Sequence, residues 1–510
     1  MLAAARELFR VGEFRSSSDL GLAAAELAFG AGRVDLAAEA ALIPAGVPDP
    51  STAAAVESLC RRVLEGSSGD NASLQARLHG QLAVALHLRG QLEDAGLHVD
   101  LADSLAQSSR DPRAIVVALH ARQLAIAGLG RTAELLALSS RMMDAAAVIQ
   151  SVDAELWARG WRIDAFLRQG DSGSAEHEVD SLDVLAARSG NVLVHWNALL
   201  ARAGLDHAVG RFALAEERAR LARVCLPPSE RRMTEPLFVA QLMLIATDRG
   251  VEPSEIEVAR DAAIGAPLIA LAMTGRYDLE MGDEDRARMF YAAVVPRVHE
   301  ISMDRRGLPT LTATLELAVH FADVDLASEL RDRLRPYEGV MIASALGAVG
   351  PVSYFLALVD RLMGQHDAGI ARIEAATALA IGGGFGPWLV RARLAQAQAL
   401  LARLGPGDRE RARETAALAL SGADQLGMLR VRANVQALLD GLSGATRLTP
   451  REREIATLVS GGSSNREIAT ALVLSERTIE THVQNILAKL GFHSRTQIAS
   501  WAVREGITSR

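Results

Sequence analysis

The chain has 510 residues, too many for one hydrophobic core, so two or more domains are expected. Alanine and leucine dominate, aromatic residues are 4% of the total and β-branched runs are few, which favours helix throughout. Cys60 and Cys225, the only cysteines, exclude a disulfide framework and a cysteine-based zinc site. No apolar run approaches the ~18 residues of a membrane span and the N-terminus does not resemble a signal peptide, so a cytoplasmic protein is expected.

The net charge is −8, yet from Ala445 onward nine Lys/Arg face six Asp/Glu, a local balance of +3. An acidic body with a small basic end matches a protein that touches nucleic acid only at that end. Lys489 is the only lysine, so a phosphate-binding loop ending Gly-Lys-[Ser/Thr] cannot occur.

Helical periodicity begins at once and persists to about residue 440. Turn-like glycines punctuate it: Gly90, Gly130, Gly170, Gly210 and Gly250 lie forty residues apart, most of them followed by an Ala/Leu-faced helix. Less regular copies follow at Gly282, Ala322, Gly364 and Gly405, and an earlier one starts at Gly32. A period of about 40 with a turn between two helical halves indicates about nine or ten stacked hairpins, resembling a tetratricopeptide-type solenoid. Pro-rich or Gly-rich loops interrupt it at 43–50, 226–229 and 382–387. Gly441-Leu-Ser-Gly-Ala-Thr446 is short, polar and Gly-rich and is read as a linker. The expected division is therefore 1–440 array, 441–446 linker and 447–510 C-terminal domain.

Gly128-Leu-Gly130-Arg-Thr-Ala133 fits a dinucleotide fingerprint on paper, but it follows a helix instead of a strand and is read as a hairpin turn. The histidines are scattered, and the acidic residues share helix faces with arginines as solvated faces do. No catalytic, metal or cofactor site is expected.

The C-terminal segment carries three helix starts. Thr449-Pro-Arg-Glu452 and Ser464-Asn-Arg-Glu467 are capping boxes, the first with Pro at the first helical position, and Ser475 offers a third N-cap. Helices are expected at 450–460, 465–472, 476–490 and 495–505. The third buries Ile479, Val483, Ile486, Leu487 and Leu490 on one face. Its opposite face carries Arg477, Glu480, Thr481 and Gln484 at i, i+3, i+4 and i+7, a pattern suited to reading base edges in a major groove. Ser464 and Asn465 at a helix start, with Arg466, Thr478 and Lys489, are the expected phosphate contacts.

Residues 448–507 resemble the LuxR-type helix-turn-helix. The matching positions are Glu452, Asn465, Glu467, Ile468, Ala469, Ser475, Thr478, Ile479, His482, Ile486, Lys489, Leu490, Gly491 and Arg495. The resemblance implies DNA binding as a homodimer on inverted repeats, with the fourth helix at the dimer contact. Many relatives carry Lys where this chain has Glu480, so their target sequence does not transfer. Glu480 is either a base reader or a solvent-facing helix residue.

Pro387-Trp-Leu-Val-Arg391, Gly407-Asp-Arg-Glu-Arg-Ala412 and Leu426-Gly-Met428 are similar to the region before this domain in large ATP-dependent LuxR regulators of actinobacteria. Those regulators also carry an N-terminal nucleoside-triphosphatase. The present chain opens inside a helical pattern without one, as a natural short form or a truncated chain would.

The expected function is transcriptional regulation by sequence-specific binding of double-stranded DNA. The array would take a small-molecule inducer or a protein partner on its concave surface, and RNA polymerase is a further expected partner. The alternative is a helical-repeat interaction scaffold with weak DNA binding.

Overall fold

The computed structural model describes residues 1–43, 50–67, 71–128, 130–262, 267–303, 307–444, 448–490, 492 and 494–504. The Pro-rich loop read at 43–50 lies almost wholly outside them, as do Gly491 and Glu505. Among the described residues the chain is helical apart from one β-hairpin.

The first helices are α1 (Leu2–Arg10), α2 (Phe14–Gly30), α3 (Val34–Ala41) and α4 (Pro50–Gly66). Stacked pairs follow, first α5 (Ala72–Leu88) with α6 (Leu92–Ser109), α7 (Pro112–Ala125) with α8 (Thr132–Ile149), and α9 (Val152–Gln169) with α10 (Ser172–Ser189). Next come α11 (Val192–Val209) with α12 (Phe212–Cys225), α13 (Arg231–Arg249) with α14 (Ser254–Ala262), and α15 (Leu268–Met281) with α16 (Glu284–Val294). After α17 (Gly307–His320) and α18 (Val324–Leu334) the hairpin β1 (Met341–Ser344) and β2 (Gly347–Pro351) intervenes. The array closes with α19 (Val352–Leu362), α20 (His366–Gly382), α21 (Gly386–Arg403), α22 (Asp408–Leu426) and α23 (Leu429–Gly444).

The turns are where the forty-residue spacing puts them. Gly90, Gly130, Gly170, Gly210 and Gly250 take φ of 77°, 88°, 79°, 93° and 77°, the left-handed conformation that ends a helix without a Cβ clash. Gly130 is such a turn, between α7 and α8. Asn71, Asp111, Ser151, Asp171, Asn191, Asp283 and Asp323 cap the helices that follow them through their side chains.

From α9 onward the first helix of a pair is buried nearly all round and the second only along a stripe. α11 buries residues on every side from Leu193 to Ala208, whereas α12 buries Phe212, Ala215, Ala219 and Ala222. The array also coils back on itself. Gly130 packs against Tyr337, Gly170 against Leu379 and Gly210 against Leu426, each on the next superhelical turn. The N-terminal tip does likewise: the Arg15 amide donates to Glu230 Oε1 at 3.0 Å and Ser229 Oγ to Glu13 Oε2 at 2.9 Å.

Three aspartates read as solvated face residues prove to be buried. Asp206, Asp278 and Asp360, each four residues before a turn glycine, are at most 1% exposed. Arg211 (2.6 Å) and Arg218 hold Asp206, Arg260 (2.5 Å) holds Asp278, and Arg372 holds Asp360. An arginine on a neighbouring helix reaches each aspartate, which helix-face spacing alone does not reveal.

One apolar cluster runs from Phe9 to Val435 through α9 to α23, whereas α3 to α8 rest on several smaller clusters. Stability in an ordinary solenoid is a sum of neighbour terms, but contacts between superhelical turns make a region cooperative. Hydrogen exchange on the native protein should therefore show amides of α5 to α8 opening before those of α11, α17 and α21. Simultaneous exchange of both sets would contradict this division.

The segment read as a linker, 441–446, is helical to Gly444, with Leu442 buried. Ala445 and Thr446 lie outside the described residues.

Candidate nucleic-acid interface

The C-terminal domain consists of α24 (Pro450–Ser460), α25 (Asn465–Leu472), α26 (Glu476–Leu490) and α27 (Arg495–Arg504). Both capping boxes are complete: Thr449 and Glu452 exchange side-chain and backbone hydrogen bonds, as do Ser464 and Glu467. Ser475 Oγ accepts from the Thr478 amide at 3.1 Å and starts α26. Ile455, Val459, Ile468, Ala469, Ile479, Val483, Ile486, Ile498 and Trp501 form a separate core. Packing α24, α25 and α27 on one side of α26 leaves its other side outward.

Arg477, Glu480, Thr481 and Gln484 are all exposed on that outward side. Thr481 Oγ1 donates to the Arg477 carbonyl at 3.0 Å. Among the described residues nothing covers this polar strip near the N-terminal end of α26, whose other side is packed.

The expected phosphate contacts divide. Arg466 is exposed. The Ser464 amide and hydroxyl both donate to Glu467 Oε2, at 2.7 and 2.9 Å, so the start of α25 already faces a carboxylate of its own. Asn465 Oδ1 accepts from Arg495 Nη1 at 2.6 Å, and Arg495 also donates to the Ser463 carbonyl. Thr478 Oγ1 shares a hydrogen bond with Ser475 Oγ at 2.7 Å.

Lys489 Nζ lies 2.7 Å from both carboxylate oxygens of the buried Glu452. Burial opposes the charge of Glu452, but the ammonium and the Thr449 amide outweigh it and hold the carboxyl below its usual range. Its contribution to stability is thus present above the unfolded carboxyl pKa and lost as pH falls through the lower folded value. Replacing Lys489 by Met should cost about 1–2 kcal/mol of domain stability at pH 7, and the loss should shrink on acidification, as thermal melts at pH 7 and pH 4 can measure.

Sequence spacing did not reveal three clamps of this domain: Lys489 on Glu452, Arg495 on Asn465, and Arg451 Nη2 on the Leu472 carbonyl at 2.7 Å, which finishes α25. Each joins residues from different helices, and only the placement of the helices brings them together.

Elsewhere the described residues contain no group of three or more His, Cys, Asp or Glu that could hold a metal ion, and no helix long and apolar enough to cross a membrane. Burial pushes the Cys60 thiol up to about 12 and the Cys225 thiol up to about 11, so neither is a ready nucleophile.

The family described as bacterial regulatory proteins of the luxR family matches residues 446–502, and the C-terminal domain is a LuxR-type helix-turn-helix. The uncharacterized transcriptional regulatory protein YhcZ of Bacillus subtilis is 52% identical over 58 residues, 11% of this chain and 27% of that protein. The putative HTH-type transcriptional regulator Rv0890c of Mycobacterium tuberculosis is 48% identical over 62 residues, 12% of this chain and 7% of the relative. The CsgBAC operon transcriptional regulatory protein of Escherichia coli is 47% identical over 55 residues, 11% of this chain and 26% of that protein. The chain thus covers only about a quarter, or less, of the length of these three relatives. What the match shows is a DNA-binding domain of the LuxR type at residues 446–502, and the relatives that share it are named as transcriptional regulators.

Proposed function

We propose that the protein is a sequence-specific regulator that binds double-stranded DNA as a homodimer and takes its signal on the helical array. The observation that carries the DNA part is the exposed strip Arg477, Glu480, Thr481 and Gln484 on a helix whose other side is fully packed. Arg477 and Gln484 have the donor groups that pair with guanine and adenine edges, and Glu480 accepts from a cytosine amino group. Arg466 supplies phosphate affinity and Lys489 contributes where the backbone competes with Glu452. The division into an array to about residue 440 and a DNA-binding domain from 447 fits this reading, as does resemblance to the C-terminal part of the large ATP-dependent LuxR regulators. Partner sensing by the array is supported by its size and its separate core.

Selection of random duplexes by the full chain tests this reading. The wild type should enrich an inverted repeat, and Glu480→Lys should change the preferred base at one position per half-site while raising affinity. An unchanged motif would place Glu480 off the bases, and no enriched motif would refute sequence specificity.

A further inference from the structure

Arg495, the first residue of α27, has no carboxylate partner among the described residues. Its guanidinium bridges two neutral oxygens at the entry to α25 instead. Nη1 donates to Asn465 Oδ1 at 2.6 Å, and Nη2 donates to the Ser463 carbonyl. Burial without a carboxylate beside it holds the guanidinium below its ordinary range, and an arginine so placed remains charged. A tie that served only to join α25 to α27 would not require this. A neutral donor could hold the same oxygens without a partly desolvated cation that lacks a counter-ion.

The fork also decides which way the Asn465 amide points. A guanidinium only donates, so the atom of Asn465 that faces it is the carbonyl oxygen, and the NH2 group turns away. That nitrogen donates to nothing among the described residues and is not buried. Asn465 is half-buried and stands next to the exposed Arg466. The Ser464 amide and hydroxyl beside it are already taken by Glu467. What the entry to α25 has to offer a phosphate is therefore the Asn465 side chain and not the helix end.

We propose that Arg495 is a positioning residue for DNA: by holding Asn465 Oδ1 it aims the Asn465 NH2 group at a backbone phosphate of the duplex that α26 reads. Asn465 makes the contact and Arg495 acts through it. Without the fork the amide is free to turn over and present its oxygen, which a phosphate repels. The uncompensated charge of Arg495 stands behind the amide and favours the anion in front of it. The proposal deepens the DNA-binding role given above and rests on it.

Ethylation interference with the full chain on its selected duplex tests this. The wild type should show, in each half-site, a phosphate whose ethylation weakens binding, and the same ethylation should leave Asn465→Ala unaffected. Asn465→Ala should bind all duplexes about tenfold more weakly, with an unchanged salt slope because a neutral amide carries no charge to the phosphate. Arg495→Met should lose the same phosphate from its pattern. The double variant should be no weaker than Arg495→Met, since the two residues act as one unit. A purely structural tie would lower the melting temperature of Arg495→Met and leave its phosphate pattern intact, which would overturn the proposal. Wild-type affinity or an unchanged pattern in Asn465→Ala, or additive losses in the double variant, would overturn it too. Should Arg495→Met not fold, Arg495→Lys takes its place: one ammonium cannot span both oxygens, so wild-type affinity there counts against the proposal. Failure of the wild type to select any duplex removes the DNA reading itself, whereas a selected duplex with no Asn465-dependent phosphate removes only this inference.

Discussion

Arg391→Ala is expected to destabilise the array by about 3–5 kcal/mol, the largest stability effect of any single substitution considered for this chain. Arg391 on α21 is 5% exposed and spans the interior. Its Nε donates to Asp248 Oδ1 at 2.8 Å and its Nη1 to Glu280 Oε1 at 2.9 Å, partners more than a hundred residues earlier. His207 Nε2 lies 3.0 Å from the second oxygen of Asp248, and Trp388 lies under the guanidinium with its ring centre 5.7 Å away. Removing the guanidinium leaves the buried Asp248 carboxylate without its arginine and takes a partner from the half-buried Glu280, which costs more than a cavity of the same size. Burial works against the Asp248 charge, but Arg391 and His207 outweigh it and hold its carboxyl below the ordinary range. In the wild type the stability from Asp248 is therefore lost only as pH falls well below the unfolded value of about 3.9. Without Arg391 burial dominates and the folded pKa rises above the unfolded one. The deficit of the variant should then be greatest near pH 7 and shrink toward pH 5. Denaturant unfolding at both pH values checks the magnitude and the sign, and a loss under 1 kcal/mol would show that the cross-link is incidental.

The largest expected effect on function is at Arg477. Arg477→Ala should lower affinity for the selected site about ten- to a hundredfold, the scale of one bidentate base contact, and relax the preference at one position. Arg477 stands in the first turn of α26, exposed, with the Ile479, Val483 and Ile486 side packed behind it, so the substitution removes reach without disturbing the core. Arg466→Ala provides the contrast. A phosphate contact weakens all duplexes alike and flattens the dependence of log affinity on log salt by about one. Competition binding over a range of salt concentrations distinguishes the two. A uniform loss for Arg477→Ala would assign it to the phosphates.

The C-terminal domain was legible because every boundary has a local cause. Capping boxes at Thr449 and Ser464, the cap at Ser475 and a one-sided apolar stripe place α24, α25 and α26 where the sequence puts them. The array was legible at its turns for the same reason, since the spaced glycines are needed by the backbone itself. Contacts that depend on how superhelical turns meet were not. Nothing near Arg391 announces Asp248 or Glu280, and nothing near Glu452 announces Lys489. The hairpin is a different case. Met-Ile-Ala-Ser and Gly-Ala-Val-Gly-Pro carry β-branched residues and glycines unlike the Ala/Leu surroundings, but a run so short is swamped by helical periodicity on both sides.

The central claim is that the outward face of α26 reads specific DNA, and footprinting of the full chain on genomic fragments tests it most directly. The account predicts discrete protected sites whose two halves lie about one helical turn, ~34 Å, apart, and which vanish for the Arg477→Ala, Gln484→Ala double variant. Protection absent at low salt, or unchanged in a folded double variant, would contradict it.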